Sequence, residues 1–542
     1  MGGLGEIGKN MMAIEFANDI IVIDAGLMFP EEDMLGVDLV IPDISYLMER
    51  REKLRGIIIT HGHEDHVGAL PYVLPELDVP VYGAKLTKGL ISVKLKEHRD
   101  SKKVTLRTIQ PGVKFTLGNF KIEPFSVCHS IPDSLGFVIY TPIGMVVHSG
   151  DFKIDYTPVD GRPTELAKLA QLGAQGVLLL LADSTYAELP GYTPSETVVG
   201  ETLARIIAEA PGRVIITTFA SLISRIQQVV NAAAKHNRHV FVIGRSMIDT
   251  VRIASELGYL NSPPDVLRRF EEIHRFPHNK IILLTTGSQG EPTSALVRIA
   301  NRDNNQVKII PGDTVIMSAT PVPGNEALVN RTIDNLFRQG ANVVYDKLAQ
   351  VHVHGHGSQE ELKLLLSMVR PKFFVPIHGE YRHLSLHARL AKSLGMPETN
   401  IFVLENGNIL ELDREKGRIA GKLPTGNVYV DGLVMGDLAS VILRDRKLLS
   451  RDGIVVVIVA IDKEKGRIVG RPDIVSRGFV DMKEGETILE QGRDLVKAAF
   501  DHSGGHPLEW SFINTKVKDT LSKFFDEQTR RRPMILTTAV EV

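Results

Sequence analysis

Residues 61–66 have the sequence HGHEDH, which places three histidines and an aspartate within six positions. The motif follows residues 56–60, GIIIT, a short apolar run that predicts a buried strand. Imidazole is the commonest protein ligand for a transition metal, and a carboxylate can complete or bridge such a site. In an extended chain the first two histidines point the same way, whereas Asp65 and His66 can face a neighbouring metal. A polar turn with solvated histidines would require this clustering by chance, so the motif predicts a metal site.

Three more ligand-type residues, His129, Asp151 and His378, stand at the ends of other predicted strands. Taken singly, the two histidines fit a structural role as well as a ligand role. All these residues together make the donor set of two metals: His61, His63 and His129 for the first, Asp65, His66 and His378 for the second, and Asp151 as the bridge. Nitrogen and oxygen ligands suit Zn²⁺ or Mn²⁺. Two metals about 3.5–4 Å apart activate a bridging water and clamp a displacement at phosphorus or carbon.

Other residues of types that could take part in chemistry give less specific signals of function. Asp24 ends an apolar strand and fits either a turn or a hydrogen-bond acceptor behind a ligand histidine. The glycine-rich residues 2–8 lack a preceding strand, so they are a weak match to a dinucleotide-binding loop. Cys128 is the single cysteine, which excludes an internal disulfide and fits a reducing cytoplasm.

Length and composition limit the class of protein. A chain of 542 residues is too long for one core and predicts about three or four domains. No run approaches the roughly 18 apolar residues that span a bilayer, and the first residues lack a secretory signal pattern. The net charge of −2 means that any nucleic-acid site must rest on a local positive patch.

The pattern of strands and helices divides the chain. Residues 1–192 alternate short strands with few helices, which predicts two facing sheets. Residues 193–344 alternate helices with apolar strands, which predicts a parallel α/β domain. Ligand-type residues resume in 345–412, so the α/β domain is expected to be an insertion into a larger domain. Residues 413–440 are studded with glycine and predict a linker, and 441–542 predict a separate small α/β domain with two strands and two helices.

The order of these motifs resembles a known family. Asp24, HGHEDH, Cys128-His129-Ser130 and the HSGDF of residues 148–152 are similar to the metallo-β-lactamase fold. The insertion, followed by Gly355-His356-Gly357 and the PIHGE of residues 376–380, resembles the β-CASP branch of that superfamily. The TTGSQGEP of residues 285–292 and the C-terminal domain are similar to the bacterial ribonuclease J family, and the resemblance covers essentially the whole chain.

The resemblance implies a fold and an activity. The fold is α/β: an αββα metallo-β-lactamase sandwich with an inserted β-CASP domain and a small C-terminal α/β domain. The activity is hydrolysis of RNA phosphodiester bonds, 5′→3′ from a 5′-monophosphate end and also internally, in mRNA decay and rRNA maturation. The rivals are another β-CASP nuclease, acting on DNA or on RNA 3′ ends, a hydrolase of a smaller substrate such as a β-lactam or a thioester, and a non-catalytic scaffold for RNA decay.

The resemblance also implies roles for particular residues. The seven residues above match the metal ligands, with two Zn²⁺ ions expected and Mn²⁺ or Mg²⁺ as alternatives. Asp183 and His356 match residues that handle protons and bind the scissile phosphate, and Asp65 joins them in the catalytic set. A structural Ca²⁺ is expected near Gly36, Asp38 and Asp431. The expected RNA contacts are Ser221, Leu222, Ile223, Arg225, Arg245, Ser246, His352, Val353, His354, Gly355 and His356.

Two positions depart from the family pattern. His354 stands where the family usually has serine, so the expected phosphate contact there is an imidazole instead of a hydroxyl. Met1 begins inside a segment that a strand normally precedes, which predicts a downstream start or a missing first strand.

The resemblance implies partners as well. They are single-stranded RNA, a second copy of the chain in a dimer or tetramer formed through the C-terminal domain, and other RNA-decay proteins, with no membrane and a cytoplasmic location. The cluster Arg530-Arg531-Arg532 fits a solvated helix end at least as well as an RNA contact.

Overall fold

Each apolar strand of this sequence must bury its faces against a second layer, and that requirement determines the architecture. The computed structural model describes residues 1–31, 34–98, 104–322, 325–432, 434–436, 440–462, 467–481, 485–501 and 510–541. Contacts divide the chain into two units. The larger comprises Met1–Met28 with Ile41–Asn427, and the smaller Phe29–Val40 with Val428–Val542.

The first sheet of the larger unit has five strands. Their spatial order is Met12–Phe16, Asp19–Ile23, Leu54–Ile58, Val81–Gly83 and Leu106–Thr108. The first two strands are antiparallel, and the remaining neighbours are parallel. Asp19–Ile23 is buried along its whole length, which explains why its sequence is continuously apolar instead of alternating.

The second sheet has six strands. Their spatial order is Phe373–Ile377, Leu179–Asp183, Gly144–His148, Leu135–Thr141, Phe120–Ser126 and Phe115–Leu117. The first three strands are parallel neighbours, and the others pair antiparallel. Parallel neighbours end at one edge, so the residues that follow these three strands are brought together.

The two sheets face each other across one apolar core. Ile21 and Ile58 of the first sheet belong to the same cluster as Phe137, Ile139 and Phe373 of the second. A separate cluster covers the outer face of the second sheet with three helices, Leu166–Gln175, Gln359–Val369 and Tyr381–Ser393. The other helices of this part are Ser45–Met48, Glu64–Val67, Leu70–Leu77 and Lys85–Glu97, with 3₁₀ turns at Arg51–Lys53 and Glu398–Asn400. The prediction of facing sheets therefore agrees with the structure.

The inserted segment forms a six-stranded parallel sheet. Its order is Leu267–Arg268, His239–Val242, Ile281–Thr285, Val214–Thr217, Thr314–Met317 and Asn342–Val344. The helices of the segment are Glu196–Glu209, Ile223–Lys235, Arg245–Leu257, Ala295–Ala300 and Glu326–Arg338, with 3₁₀ turns at Phe270–Arg275 and His278–Lys280. Five of the strands were predicted, and the sixth was missed because two residues carry no periodicity.

Short strands complete the larger unit and lead into the smaller. Leu4–Gly5 pairs parallel with Gly379–Glu380, and Asn408–Leu412 pairs antiparallel with Gly417–Lys422. Three further strands are Leu39–Pro42, Asn427–Asp431 and Val434–Gly436. The segment 413–440, predicted as a linker, therefore contains strands, because its glycines alternate with residues that pair in hairpins.

The C-terminal segment packs helices against one face of a three-stranded sheet. The sheet order is Arg467–Arg477, Ile454–Asp462 and Met534–Glu541, and the helices are Ser440–Asp452, Gly485–Asp501 and Trp510–Thr529. The last two of these helices share the apolar core of the sheet. Sequence patterns missed the first helix and the first of these strands. That strand contains Gly470 and Pro472, which lie in a bulge where the register shifts, so its alternation is broken. Among the residues that the structure describes, no helix combines the length and apolarity needed to span a bilayer.

Candidate active site

Three of the predicted ligand histidines form one group. The Nδ1 atom of His63 lies 2.9 Å from His61 Nε2 and 3.2 Å from His129 Nε2. His61 is completely buried and His129 nearly so. Three ring nitrogens therefore converge on one point, as expected for ligands of a single metal ion.

A second group, with two histidines and two carboxylates, lies beside the first. Asp65 Oδ2 is 3.2 Å from His378 Nε2 and 3.4 Å from His66 Nε2. Asp151 Oδ2 is 3.2 Å from His66 Nε2 and 3.5 Å from His378 Nε2. The same Asp151 oxygen lies 3.7 Å from His61 Nε2, in the first group. Asp151 is thus placed between the two groups, and the structure brings all seven predicted ligands together.

Strand ends explain this convergence. The three parallel strands of the second sheet end at one edge, and Asp151, Asp183 and His378 stand at or just beyond their ends. The HGHEDH motif comes from the facing first sheet, where it follows Leu54–Ile58. The site therefore lies where the two sheets meet.

Partners behind the ligands fix the orientation of three of the rings, those of His61, His66 and His129. Asp24 Oδ2 lies 2.8 Å from His66 Nδ1, so that nitrogen donates and Nε2 faces the site. Thr60 Oγ1 lies 3.0 Å from His61 Nδ1 and also donates to Asp24. Of the two interpretations of Asp24, the geometry places it as the acceptor behind a ligand histidine.

Gly355 performs the same function for His129. Its carbonyl oxygen accepts a hydrogen bond from His129 Nδ1 at 2.8 Å. A Cβ atom at this position would lie 2.7 Å from the His129 ring, so only glycine allows the close approach.

The left-handed backbone of His378, with φ of 55°, is a strained conformation at a ligand position.

The electrostatics differ between the two groups. Burial lowers the pKa of His63 to about 4, and burial with neighbouring imidazoles holds the pKa of His61 well below its ordinary value. Burial opposes charge on His378, but Asp151 and the neighbouring carboxylates raise its pKa to about 10. The first group therefore offers neutral nitrogens, the form that binds metal, and the second concentrates negative charge that favours a cation.

The donors fit a divalent metal. Nitrogens bound to one tetrahedral Zn²⁺ at about 2.0–2.1 Å stand about 3.3 Å apart, close to the spacing within the first group. The second group adds carboxylate oxygens to nitrogens, which suits the same class of ion.

Asp183 and His356 form a hydrogen-bonded pair beside the metal ligands. His356 Nδ1 lies 2.7 Å from Asp183 Oδ2, while Asp183 Oδ1 accepts from the Thr185 hydroxyl at 2.8 Å. Burial would raise the pKa of the Asp183 carboxyl, but His356 and His378 hold it well below its ordinary value. A ring nitrogen of His356 lies within 4.8 Å of donor atoms of His129 and Asp151. The pair therefore faces the same pocket as the predicted metals.

Several predicted RNA contacts are buried. The side chains of Ile223 and Val353 belong to the core of the inserted segment, and Leu222 is also buried. Arg225 is fully buried, and its guanidinium binds Glu196 at 2.6 Å and the carbonyl oxygen of Val351 at 2.7 Å. The structure does not place the side chain of Arg225 where RNA could reach it.

The remaining predicted contacts are more accessible. Ser221 is half-buried two residues before the helix Ile223–Lys235, and Arg245 and Ser246 are exposed at the start of the helix Arg245–Leu257. These residues follow strands of one parallel sheet at the same edge, where helix N-termini favour phosphate.

His352 and His354 lie on the loop that leads to His356. Burial lowers the pKa of His352 to about 3, and burial beside His356 lowers the pKa of His354 to about 4. The His354 ring stacks on Tyr186 with centroids 3.9 Å apart, and its Nδ1 lies 2.8 Å from the carbonyl oxygen of His356. His354 is therefore held in place by contacts that a serine would not make.

The predicted structural-cation residues lie in the smaller unit. Asp38 accepts a hydrogen bond from the Gly432 backbone at 2.7 Å, and the Asp431 carboxylate pairs with Arg446. The guanidinium of Arg446 also lies against Gly36. The Arg446 side chain thus lies between Gly36 and Asp431, where the cation was expected.

Sequence analysis missed residues that organise the site from behind. Tyr186, Thr185 and Thr193 all contact active-site residues, and Glu361 anchors the loop after His356. One signal for Glu361 was present in the sequence, because Ser358 three positions earlier makes a capping box before an apolar helix.

Comparison with protein families agrees with this architecture. Residues 4–183 match the metallo-beta-lactamase superfamily, and residues 341–404 match a Zn-dependent metallo-hydrolase RNA specificity domain. Residues 211–336 match the ribonuclease J beta-CASP domain, and residues 441–542 match the ribonuclease J C-terminal domain.

Relatives match over the whole chain. Ribonuclease J2 of Bacillus subtilis is 42% identical over 100% of this chain and 98% of its own length. Ribonuclease J of Thermus thermophilus is 46% identical over 100% of this chain and 94% of its own. A crystal structure of a protein of unknown function from Enterococcus faecalis shares the fold, with a TM-score of 0.53 and 15% identity over 77% of this chain and 98% of that one.

The fold and site define a metallo-β-lactamase-type hydrolase that carries an inserted β-CASP domain and a divalent-metal pocket. Full-length identity above 40% to the relatives named above narrows the class further. The chain belongs to the ribonuclease J family. The predicted fold class, family and enzyme class, a metal-dependent ribonuclease that binds RNA, are confirmed.

Proposed function

We propose that this protein hydrolyses single-stranded RNA 5′→3′ from 5′-monophosphate ends, and also internally, with two Zn²⁺ ions in its active site. The observation that supports this most directly is the position of Asp151 between two donor groups, next to the Asp183–His356 pair. Mn²⁺ or Mg²⁺ would be held by the same nitrogen and oxygen donors.

Some residues of the site would hold the metal ions, and others keep the ligand side chains oriented. His61, His63 and His129 would hold one ion, and Asp65, His66 and His378 the other, with Asp151 shared. When bound, such a pair of ions supplies a hydroxide at neutral pH and counters charge on the phosphate. Asp24, Thr60 and the Gly355 carbonyl keep the ligand rings oriented, so the pocket is preorganised.

His356 is the candidate for direct contact with the scissile phosphate. Asp183 accepts from its Nδ1, which fixes the tautomer and leaves Nε2 for the substrate. In its imidazolium form His356 also carries a proton on Nε2, and from there it can donate a hydrogen bond to a phosphate oxygen or a proton to the leaving oxygen.

The 5′ preference would depend on predicted RNA contacts that are not metal ligands. Ser221, Arg245 and Ser246 stand at the edge of the inserted sheet, and His354 lies on the loop before His356. Accessible hydroxyl and guanidinium donors near helix N-termini suit a terminal phosphate. The cellular roles that follow are mRNA decay and rRNA maturation, in the cytoplasm and alongside other RNA-decay proteins.

A dimer or tetramer would form through the C-terminal sheet. The face opposite its helices carries Ile458, Val475, Leu536 and Val540, each more than a third exposed. The register places Val475 and Leu536 on either side of Val456, so the face is continuous. A second copy of the same face would bury this apolar surface.

The proposed function is tested with labelled substrates. The protein is incubated with Mn²⁺ or Zn²⁺ and 5′-labelled monophosphorylated RNA, matching single-stranded DNA, or a chromogenic β-lactam. We expect mononucleotide release from RNA alone, and none from the Asp65→Ala variant, which lacks a donor of the second group. Cleavage of DNA alone, or intact RNA with the metal-loaded wild type, would refute the proposal.

A further inference from the structure

Glu361 is a fully buried carboxylate in the first turn of the helix Gln359–Val369. Its Oε2 atom accepts hydrogen bonds from the backbone N–H groups of Ser358 at 2.8 Å and Thr193 at 2.7 Å. Its Oε1 atom accepts from the backbone N–H of Ile154 at 2.7 Å. Only the bond from Ser358 belongs to the capping box of the helix, so the other two serve a different purpose.

Each of the three segments bound to Glu361 leads to an active-site residue. Ile154 lies three positions after Asp151, which stands between the two donor groups. Thr193 lies in the loop that joins the strand ending at Asp183 to the helix Glu196–Glu209. Ser358 follows His356 by two positions. One side chain therefore joins the loops that carry Asp151, Asp183 and His356.

Further hydrogen bonds join the same three segments, which together with Glu361 we call the junction. The Thr193 hydroxyl donates to the carbonyl oxygen of His356 at 2.9 Å and lies 3.0 Å from the Ser358 hydroxyl. The Gln359 side chain donates to the carbonyl oxygen of Ala187, in the loop between Asp183 and Thr193. A Cβ atom on Gly357 would lie 3.2 Å from the Cβ of Glu361, so the junction is tightly packed.

The helix gives Glu361 a rigid base. Leu362, Leu365 and Leu366 are buried in the cluster that covers the second sheet. Because the helix is anchored by this core, the carboxylate has a fixed position from which to hold the loops.

We infer that Glu361 is a positioning residue, which sets the spacing between Asp151 and the Asp183–His356 pair. The inference rests on the proposed function for its catalytic consequence. In Glu361→Gln, one oxygen is replaced by an NH₂ group that would face backbone N–H donors, so at least one loop loses its partner. A loop displaced by about 1 Å is expected to lower kcat by roughly 100-fold.

The experiment compares Glu361→Gln and Glu361→Asp with the matched control Glu360→Gln. Glu360 is the neighbouring residue, and its side chain pairs with Lys363 at the surface. Three quantities are measured: kcat and KM on 5′-monophosphorylated RNA, bound metal per chain, and backbone hydrogen exchange across residues 152–156, 191–195 and 356–360.

For Glu361→Gln we expect kcat to fall about 10- to 100-fold, with KM changed less than about threefold and metal content retained. Exchange should accelerate in all three segments while the rest of the chain keeps its protection. Glu361→Asp keeps both oxygens on a shorter side chain and should be intermediate. Glu360→Gln should match the wild type.

The inference is overturned if exchange in the three segments is unchanged, or if kcat of the folded variant stays within twofold of the wild type. It is also overturned if protection is lost uniformly over the chain, because that outcome means a general loss of stability. Should Glu361→Gln fail to fold, wild-type kcat and exchange in Glu361→Asp would overturn it. An inactive wild-type protein would refute the proposed function instead, and the exchange data would still decide the role of Glu361.

Discussion

His354 shows how one side chain can reshape a binding loop. Its ring stacks on Tyr186 and its Nδ1 donates to the carbonyl oxygen of His356. We expect His354→Ser to lose the stack, which is worth about 0.5–1.5 kcal/mol, and to reduce the preference for 5′-monophosphate over 5′-hydroxyl RNA by about three- to tenfold. Tyr186→Phe keeps the ring and should behave as the wild type. An unchanged preference in His354→Ser would show that His354 does not discriminate.

Substitution of the two arginines predicted to bind RNA should have different effects on stability and on RNA binding. Arg225 is buried against Glu196, so Arg225→Met leaves an unpaired buried carboxylate and should cost about 3–5 kcal/mol of stability. Arg245 is exposed, so Arg245→Met should leave stability within about 0.5 kcal/mol and lower the salt dependence of RNA binding by about one unit. Stability is measured by urea unfolding, monitored by circular dichroism. The salt dependence is measured by RNA-binding titrations at several salt concentrations. Equal stability of the two variants would contradict the assignment.

The strand Phe120–Ser126 and the helix Leu166–Gln175 are joined by a charged contact. Glu123 pairs with Lys168 and accepts from the Tyr140 hydroxyl at 2.7 Å. Burial opposes ionisation, but these partners hold the pKa of Glu123 below its ordinary value of 4.5. A lowered folded-state pKa stabilises the protein above pH 4.5, and the contribution is lost as pH falls through the folded value.

The corresponding measurement is the melting temperature of Glu123→Gln from neutral pH to below pH 4.5. We expect the variant to melt below the wild type at neutral pH and the difference to shrink in acid. Glu415→Gln, at a side chain that is 83% exposed, is the matched control and should melt with the wild type throughout. A difference that does not vary with pH would contradict this account.

Elements with strong periodicity were predictable from sequence, and elements held by tertiary contacts were not. The strand Asp19–Ile23 and the HGHEDH motif were clear because burial and ligation each demand particular residue types. The bulged strand Arg467–Arg477 was hidden because Gly470 and Pro472 interrupt its alternation. The capping box of Ser358 and Glu361 was readable, but the bonds from Ile154 and Thr193 to Glu361 were hidden, since backbone donors leave no mark on the sequence of the loops that supply them.

At the scale of the whole molecule, the apolar face of the C-terminal sheet makes a prediction about assembly. Ile458 lies in the middle strand of the C-terminal sheet, on the apolar face away from the helices. If that face joins two copies, Ile458→Glu should shift the mass measured by light scattering from dimer or tetramer to a smaller species. Val113→Glu, at an exposed position of the larger unit, should leave the mass unchanged. An unaltered assembly in Ile458→Glu would exclude this face as the interface.

The metal pocket is closed by two residues far apart in the chain. Asp65 and His378 lie 3.2 Å apart, although 313 positions separate them in sequence. Because synthesis proceeds from the N-terminus, a growing chain can fold its first sheet long before His378 leaves the ribosome. Until then the second donor group is incomplete. The metal-dependent activity that we propose can therefore appear only after at least 378 of the 542 residues have been synthesised.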